Sequence, residues 1–186
     1  MDVTDPRHPQ RLGSELPGSI PTGTGQLASF SQIAYSADGD YVAAGGATSG
    51  KNNHSVLLWN VHDRKHPTRV AELTGPVENV NSLSFSRDGH RLAAGGYDRS
   101  VWLWDISDHS SPDLVGQLQQ HTNTVNSVAF GAGSLLASGS SDNTARVWET
   151  GVGRASEDAC KLTGPSALLE SDWKRYVPQL DFEPPC

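Results

Sequence analysis

Cysteine is close to absent from this sequence: two residues in 186, Cys160 and Cys186, both beyond residue 159. That excludes a disulfide scaffold as the source of its stability. No uninterrupted apolar run approaches the length needed to span a bilayer, and no charged-then-apolar leader opens the chain, so neither a membrane helix nor an export signal is expected. A basic patch is missing as well. Asp and Glu number 21 against 14 Lys and Arg, and the densest basic run, DRKHPTR from Asp63, carries its own carboxylate. Nucleic-acid affinity rests largely on phosphate neutralisation, so a non-specific DNA or RNA binder is not expected. These absences point to the cytoplasm as the working compartment.

Helical periodicity is also missing before residue 155. What replaces it is β-type text. Nineteen glycines are present, and short Val/Leu/Ala/Trp runs are separated by DG, GG and SD turn signals.

The dominant feature is an internal repeat. Aligned on LWN (58–60), LWD (103–105) and VWE (147–149), the tryptophans Trp59, Trp104 and Trp148 lie 45 and 44 residues apart (104 − 59 and 148 − 104). Upstream of each stands an alternating strand: SQIAYS (31–36), VNSLSFS (80–86) and VNSVAF (125–130). A turn follows (ADGD, RDGH, GAGS), then a small-residue strand: YVAAGG (41–46), RLAAGG (91–96) and LLASGS (135–140). A fourth strand precedes each alternating one, as PQRLGSEL (9–16), PTRVAEL (67–73) and PDLVGQL (112–118). Three d-a-b-c repeats therefore occupy residues 1–150.

Four short strands every 44 to 45 residues, closing on Trp-Asp, resemble the WD40 family of β-propellers. The resemblance implies an all-β fold, a partial WD40 propeller of about three four-stranded blades with a short helical C-terminal tail. It also implies a structural relay in repeat three from His121, Ser138, Asp142 and Trp148. Repeat two keeps Asp98 and Trp104 but has Pro76 and Ala94 at the histidine and serine positions. Repeat one keeps Trp59, with Asn53 at the aspartate position. Repeats one and two are accordingly expected to have plainer cores. The ending ACKLTGPSALLESDWKRYVPQLDFEPPC is similar to the tail following WD40 arrays in bacterial STAND-class signalling NTPases, through Cys160, Trp173, Tyr176, Pro178 and the final PPC.

In such propellers each d strand completes the preceding blade. The strands at 67–73 and 112–118 would then finish blades one and two, and the strand at 9–16 would belong to a blade elsewhere. Three blades do not close, since propellers use about 4–8. Two readings stand: a piece of a longer propeller, or a homodimer closing head to tail with six blades. Within 151–186, Leu169, Trp173, Tyr176, Val177 and Leu180 fall on one face of a short helix that Pro178 stops, expected to act as a clasp. A Cys160–Cys186 disulfide would close this segment and contribute about 3.5 kcal/mol in the chain-entropy description; a reducing compartment opposes it.

No catalytic constellation stands out, and no metal or cofactor is expected. His62 and His66 sit in a proline-bearing loop, and PTGTGQ lacks the Lys-Ser/Thr of a phosphate loop. An enzyme using a propeller face would need carboxylates or histidines at the channel mouth, where the inner strands offer Asn81, Ser82, Asn126 and Ser127. What remains is a surface. Repeat one enlarges its d–a loop (17–29, with Thr22 and Thr24) and its b–c loop (47–54, with Lys51, Asn52 and Asn53) at one end of the blade, the end where WD40 proteins usually take partners. Trp102 shares a strand face with Trp104 and is expected to pack between blades. The reading is a non-enzymatic protein-interaction scaffold or sensor module that binds a protein partner.

Overall fold

The computed structural model describes residues 28–48 and 56–151, together with Arg7, His8 and Leu16. The chain divides into two units, Met1–Val147 and Trp148–Cys186. The described part of the second unit is Trp148–Gly151, so the helix and disulfide expected in the tail lie outside the described residues, as does nearly all of the 9–16 strand.

Eleven strands are described, and no helix among them: β1 (Ala28–Tyr35), β2 (Tyr41–Thr48), β3 (Val56–Asn60), β4 (Thr68–Leu73), β5 (Val80–Phe85), β6 (Arg91–Gly96), β7 (Val101–Asp105), β8 (Asp113–Leu118), β9 (Val125–Phe130), β10 (Leu135–Ser140) and β11 (Ala145–Glu149). They form antiparallel meanders in the orders β1-β2-β3-β4, β5-β6-β7-β8 and β9-β10-β11. The d strands at 68–73 and 113–118 thus close the sheets begun by the preceding repeats, and the third sheet has three strands among the described residues.

Local chemistry sets the turns. In the first sheet Ser36 Oγ donates to Asp38 and accepts the Tyr41 amide at 2.9 Å, while Asp38 also takes the Asp40 amide at 3.0 Å. Ser86, Asp88 and Arg91 repeat this arrangement in the second. The hydroxyls and amides aimed at them hold both carboxyls below the usual range, the serine contributing most. In the third sheet, with GAGS, the same corner is closed by Gly131 N donating to Leu135 O at 2.8 Å.

Each inner strand carries a β-bulge at the same repeat position. Register shifts leave Ser31, Asn81 and Asn126 without an opposite residue. Bulges re-aim side chains, and the Asn81 amide accordingly donates to Val125 O of the next sheet, 3.2 Å away.

The sheets stack in sequence. β5 lies against β1 and β2, and β9 against β5 and β6. Alternation then sorts each strand between two faces. Leu92, Ala94, Trp102 and Trp104 join Ala43, Val56, Leu58 and Val80 in one core between sheets one and two. The opposite face of sheet one, with Val42, Ala44, Leu57, Trp59 and Val61, forms a second core on which Leu16 packs. The small-residue strands explain how closely the sheets approach. A β-carbon at Gly95 would sit 2.6 Å from Val125 Cγ1, and one at Gly45 would sit 3.0 Å from Val80 Cγ1. Alanine and glycine are poor strand formers in isolation; here their lack of bulk lets the following inner strand settle onto the sheet.

Candidate functional site

The polar centre of repeat three is built where the segment after β8 meets the β10–β11 turn. His121 Nδ1 lies 2.8 Å from Asp142 Oδ2, and its Nε2 lies 2.8 Å from Ser138 Oγ. Asp142 also accepts the Thr122 amide at 3.0 Å, the Thr144 amide at 2.9 Å and the Thr144 hydroxyl at 2.6 Å. The Thr144 hydroxyl, with His121 after it, holds this carboxyl far below the usual carboxylate range against the opposing effect of burial. An ionised carboxylate accepts only, so His121 Nδ1–H donates to Asp142, and Nε2 shares a hydrogen bond with the Ser138 hydroxyl.

Ser, His and Asp in this order resemble a hydrolytic triad, and the surroundings decide against that use. The Ser138 residue is 3% exposed and His121 6%. A nucleophile must meet a substrate atom within hydrogen-bond reach; this hydroxyl is enclosed. The three residues instead tie a loop, a strand and a turn together. Trp148, on β11, is half-buried.

Repeat two has a different but equivalent device. Asp98 Oδ2 accepts the Trp102 indole N–H at 2.8 Å and the Val77 amide at 3.3 Å, and its Oδ1 accepts the Ser100 amide at 3.1 Å. Val77 and Ser100 stand one repeat upstream of Thr122 and Thr144, so Trp102 supplies the donor that His121 supplies in repeat three. The indole lies over Gly75, whose added β-carbon would come within 2.6 Å of Trp102 Cε3. The sequence reading assigned Trp102 to packing, and it does pack, at 8% exposure; its second role makes this core less plain than expected. The available signal was the glycine just before Pro76, which makes room for a large ring. Trp104 Nε1 donates to Thr74 O at 3.1 Å. In repeat one, Trp59 is fully buried and meets Phe30 edge-on at 5.6 Å.

Of the residues expected at the channel mouth, Asn81 and Ser82 tie the second sheet to the third, whereas Asn126 bonds within the third sheet. Ser82 Oγ accepts the Val128 amide and Ser84 Oγ the Phe130 amide, both at 3.0 Å. Asn126 Nδ2 donates to Ser141 Oγ at 2.8 Å. His62 and His66 are each engaged by a separate carboxylate, Asp40 at 3.0 Å and Asp63 at 2.9 Å, on the exposed surface. Among the described residues no group of three His, Cys, Asp or Glu could hold a metal ion, and no helix is long and apolar enough to cross a membrane.

Lys51, Asn52, Asn53, Thr22 and Thr24, expected as partner contacts, lie outside the described residues. The d–a and b–c loops of sheet two expose Val77 and Tyr97. Their segments are joined by the Tyr97 amide donating to Asn79 O at 3.0 Å. Beside them Arg99 holds a left-handed φ of 64°, a conformation costly for a residue with a β-carbon.

The family model described as "WD domain, G-beta repeat" matches residues 67–105 and 112–149, which contain β4–β7 and β8–β11. These stretches are WD40 repeats. Their bounds follow the d-a-b-c order, each opening just before a d strand and closing on the residue after a tryptophan. A solved structure titled "Structure of U3-55K" aligns with a TM-score of 0.56 and 20% identity, covering 67% of this chain and 37% of that one. That likeness shows the fold, and the chain corresponds to little more than a third of that protein's length. No curated protein sequence matches. The three antiparallel sheets are consistent with part of a WD40 propeller. WD40 repeats generally mediate protein–protein interaction and are typically non-catalytic.

Proposed function

We propose that the chain is a non-catalytic interaction module that presents the loop end of its blades to a protein partner. The observation carrying this reading is the exposed pair Val77 and Tyr97 on adjoining loops, flanked by Arg99 in a strained turn. Exposed aromatic and arginine side chains on rigid loops are favoured anchors for protein partners, and backbone strain gathers at functional positions. The enlarged loops expected from the sequence of repeat one, with Thr22, Thr24, Lys51, Asn52 and Asn53, lie outside the described residues and are proposed as further contacts. The acidic balance of the chain supports a protein partner over nucleic acid.

The tail's likeness to those of STAND-class proteins supports a place in a bacterial signalling protein, as its sensor or partner-binding part. Two cysteines and no long apolar run support the cytoplasm. A second reading, self-association of this chain, is favoured by the exposed Ile33 and Tyr35 on β1 and the exposed Ala137 and Val147 in the third sheet.

The test is comparative capture. The wild type, Tyr97→Ser and a control at the opposite end, Lys65→Ser, are immobilised and challenged with extract from the source cells. A protein retained by the wild type and the control but lost with Tyr97→Ser supports the loop end as the binding surface. Equal retention by all three overturns it.

A further inference from the structure

The first two sheets take their outer strand from the residues that follow the tryptophan strand, at a fixed spacing. Seven residues separate β3, ending at Asn60, from β4, opening at Thr68, and seven separate β7, ending at Asp105, from β8, opening at Asp113. The leucine closing each outer strand stands 14 residues after the tryptophan (73 − 59 and 118 − 104). Leu73 lies opposite Val56 and Leu118 opposite Val101, and a bulge leaves Val70 and Val115, each 11 residues after the tryptophan, without an opposite residue.

The same spacing recurs after the third tryptophan. Fourteen residues beyond Trp148 stands Leu162, and the four residues LTGP from Leu162 repeat the four from Leu73. The segment 157–162, EDACKL, opens after seven residues counted from Glu149, the end of β11. It differs in its approach, with Ser156 where Pro67 and Pro112 stand. The chain also leaves β11 as it leaves the other two tryptophan strands. Asn60 Oδ1 accepts the His62 amide at 3.0 Å, Asp105 Oδ1 the Ser107 amide at 2.8 Å, and Glu149 Oε1 the Gly151 amide at 3.1 Å. A side chain that takes the amide two residues on starts a turn. β11 pairs with β10 on one side, and among the described residues no strand covers its other side.

We propose that residues 157–162 occupy that side, as an outer strand added antiparallel to β11 in the register that β4 keeps on β3. Cys160 then lies opposite Val147, as Ala71 lies opposite Leu58 and Gly116 opposite Leu103. Lys161 lies opposite Arg146, Leu162 opposite Ala145, and Ala159 takes the bulge. The added strand pairs the outward backbone groups of β11 and closes an edge that would otherwise template a foreign strand. A partner adding a strand to the third sheet would first have to displace this one. The placement is independent of the partner surface proposed at the loop end.

Disulfide trapping in the full chain tests this. Opposed residues of an antiparallel pair hold their α-carbons about 4.5–5.5 Å apart, within the span of a disulfide. Two variants carry Cys186→Ser, which leaves Cys160 as the native thiol, together with Val147→Cys or, as control, Arg146→Cys. Val147 is exposed and Arg146 points to the opposite face of the strand. After mild oxidation of dilute protein, peptide mapping should find a bond between positions 147 and 160, and about tenfold less between 146 and 160. No bond in either variant, equal bonds in both, or a bond only between two copies overturns the proposal. Lys161→Glu checks the register separately. It restores the acceptor that Glu72 and Gln117 carry at this position and faces Arg146 with an opposite charge, so the melting temperature should rise by about 1–2 °C. An unchanged or lower melting temperature overturns the register.

Discussion

Gly95 offers a direct measure of how tightly the blades must approach. Replacing it with alanine sets two effects against each other. Alanine restricts the unfolded chain more than glycine, a gain of about 0.5–1 kcal/mol at an unstrained strand position. The new methyl, however, would stand 2.6 Å from Val125 Cγ1 and 3.0 Å from Val128 Cγ1. Overpacking of this kind costs about 1–3 kcal/mol, so Gly95→Ala should lose about 1–2 kcal/mol net. Val125→Ala alone removes two buried methyl groups and should cost about 2 kcal/mol. Combined, the new methyl occupies space the valine has left, and the double variant should be about 1–2 kcal/mol more stable than the summed losses. Gly139 is the control. It holds the same position in blade three, yet an added β-carbon there would meet only Ser127 Oγ, at 3.0 Å. Gly139→Ala should therefore lie between neutral and about 1 kcal/mol stabilising. Urea unfolding of dilute protein reads all four variants, provided the m-value stays constant. Equal losses for Gly95→Ala and Gly139→Ala, or strict additivity of Gly95→Ala with Val125→Ala, would refute the argument.

His121→Ala removes the ring's hydrogen bonds to both Asp142 and Ser138, a loss of about 1–3 kcal/mol beyond the cavity; adding Ser138→Ala should cost less than its effect in the wild type, by the same unfolding assay. Arg99→Asn keeps the left-handed turn with a residue suited to it, as Asn143 does at φ 66° one repeat on, and should raise stability by up to about 1 kcal/mol while weakening partner capture. Asp38, Asp88, Asp105 and Asp142 all titrate below their unfolded range, so their stabilisation is complete above about pH 4 and is lost as pH falls through their folded values. His109, stacked on Tyr41 at 3.7 Å and lowered first by burial, has the same sign. Its contribution is complete above about pH 6.5 and declines below it, and the melting temperature of His109→Gln should lose that upper part of the pH dependence.

Strand order could be read from the sequence because each strand type has its own composition: alternating, small-residue, tryptophan-bearing, or opened by proline. The meander follows from short turns between them, and the junction of β4 with β1–β3 follows from the offset of the repeat. Side-chain partners were harder. The His121–Ser138–Asp142 contacts join positions that the family resemblance brings to mind together, whereas the Trp102–Asp98 bond crosses residue types that no repeat alignment pairs. Trp102 aligns with Leu57 and Arg146, so its donor role depends on space over Gly75, a property of the third dimension. The glycines of β2 and β6 likewise read as turn or bulge signals in one dimension, and their use is a close approach by a strand about 30 residues further on.

The serine-to-amide ties of β5 to β9 have a consequence for how the molecule opens. Among the described strands the main contacts between blades join sequence neighbours, β1 and β2 with β5, and β5 and β6 with β9, so cooperativity passes along the stack as along a one-dimensional zipper. Blade two is clamped from both sides and blade three from one. Amide hydrogen exchange should therefore be graded, slowest in β6 and β7 and faster toward β11, with the molecule fraying from its ends inward.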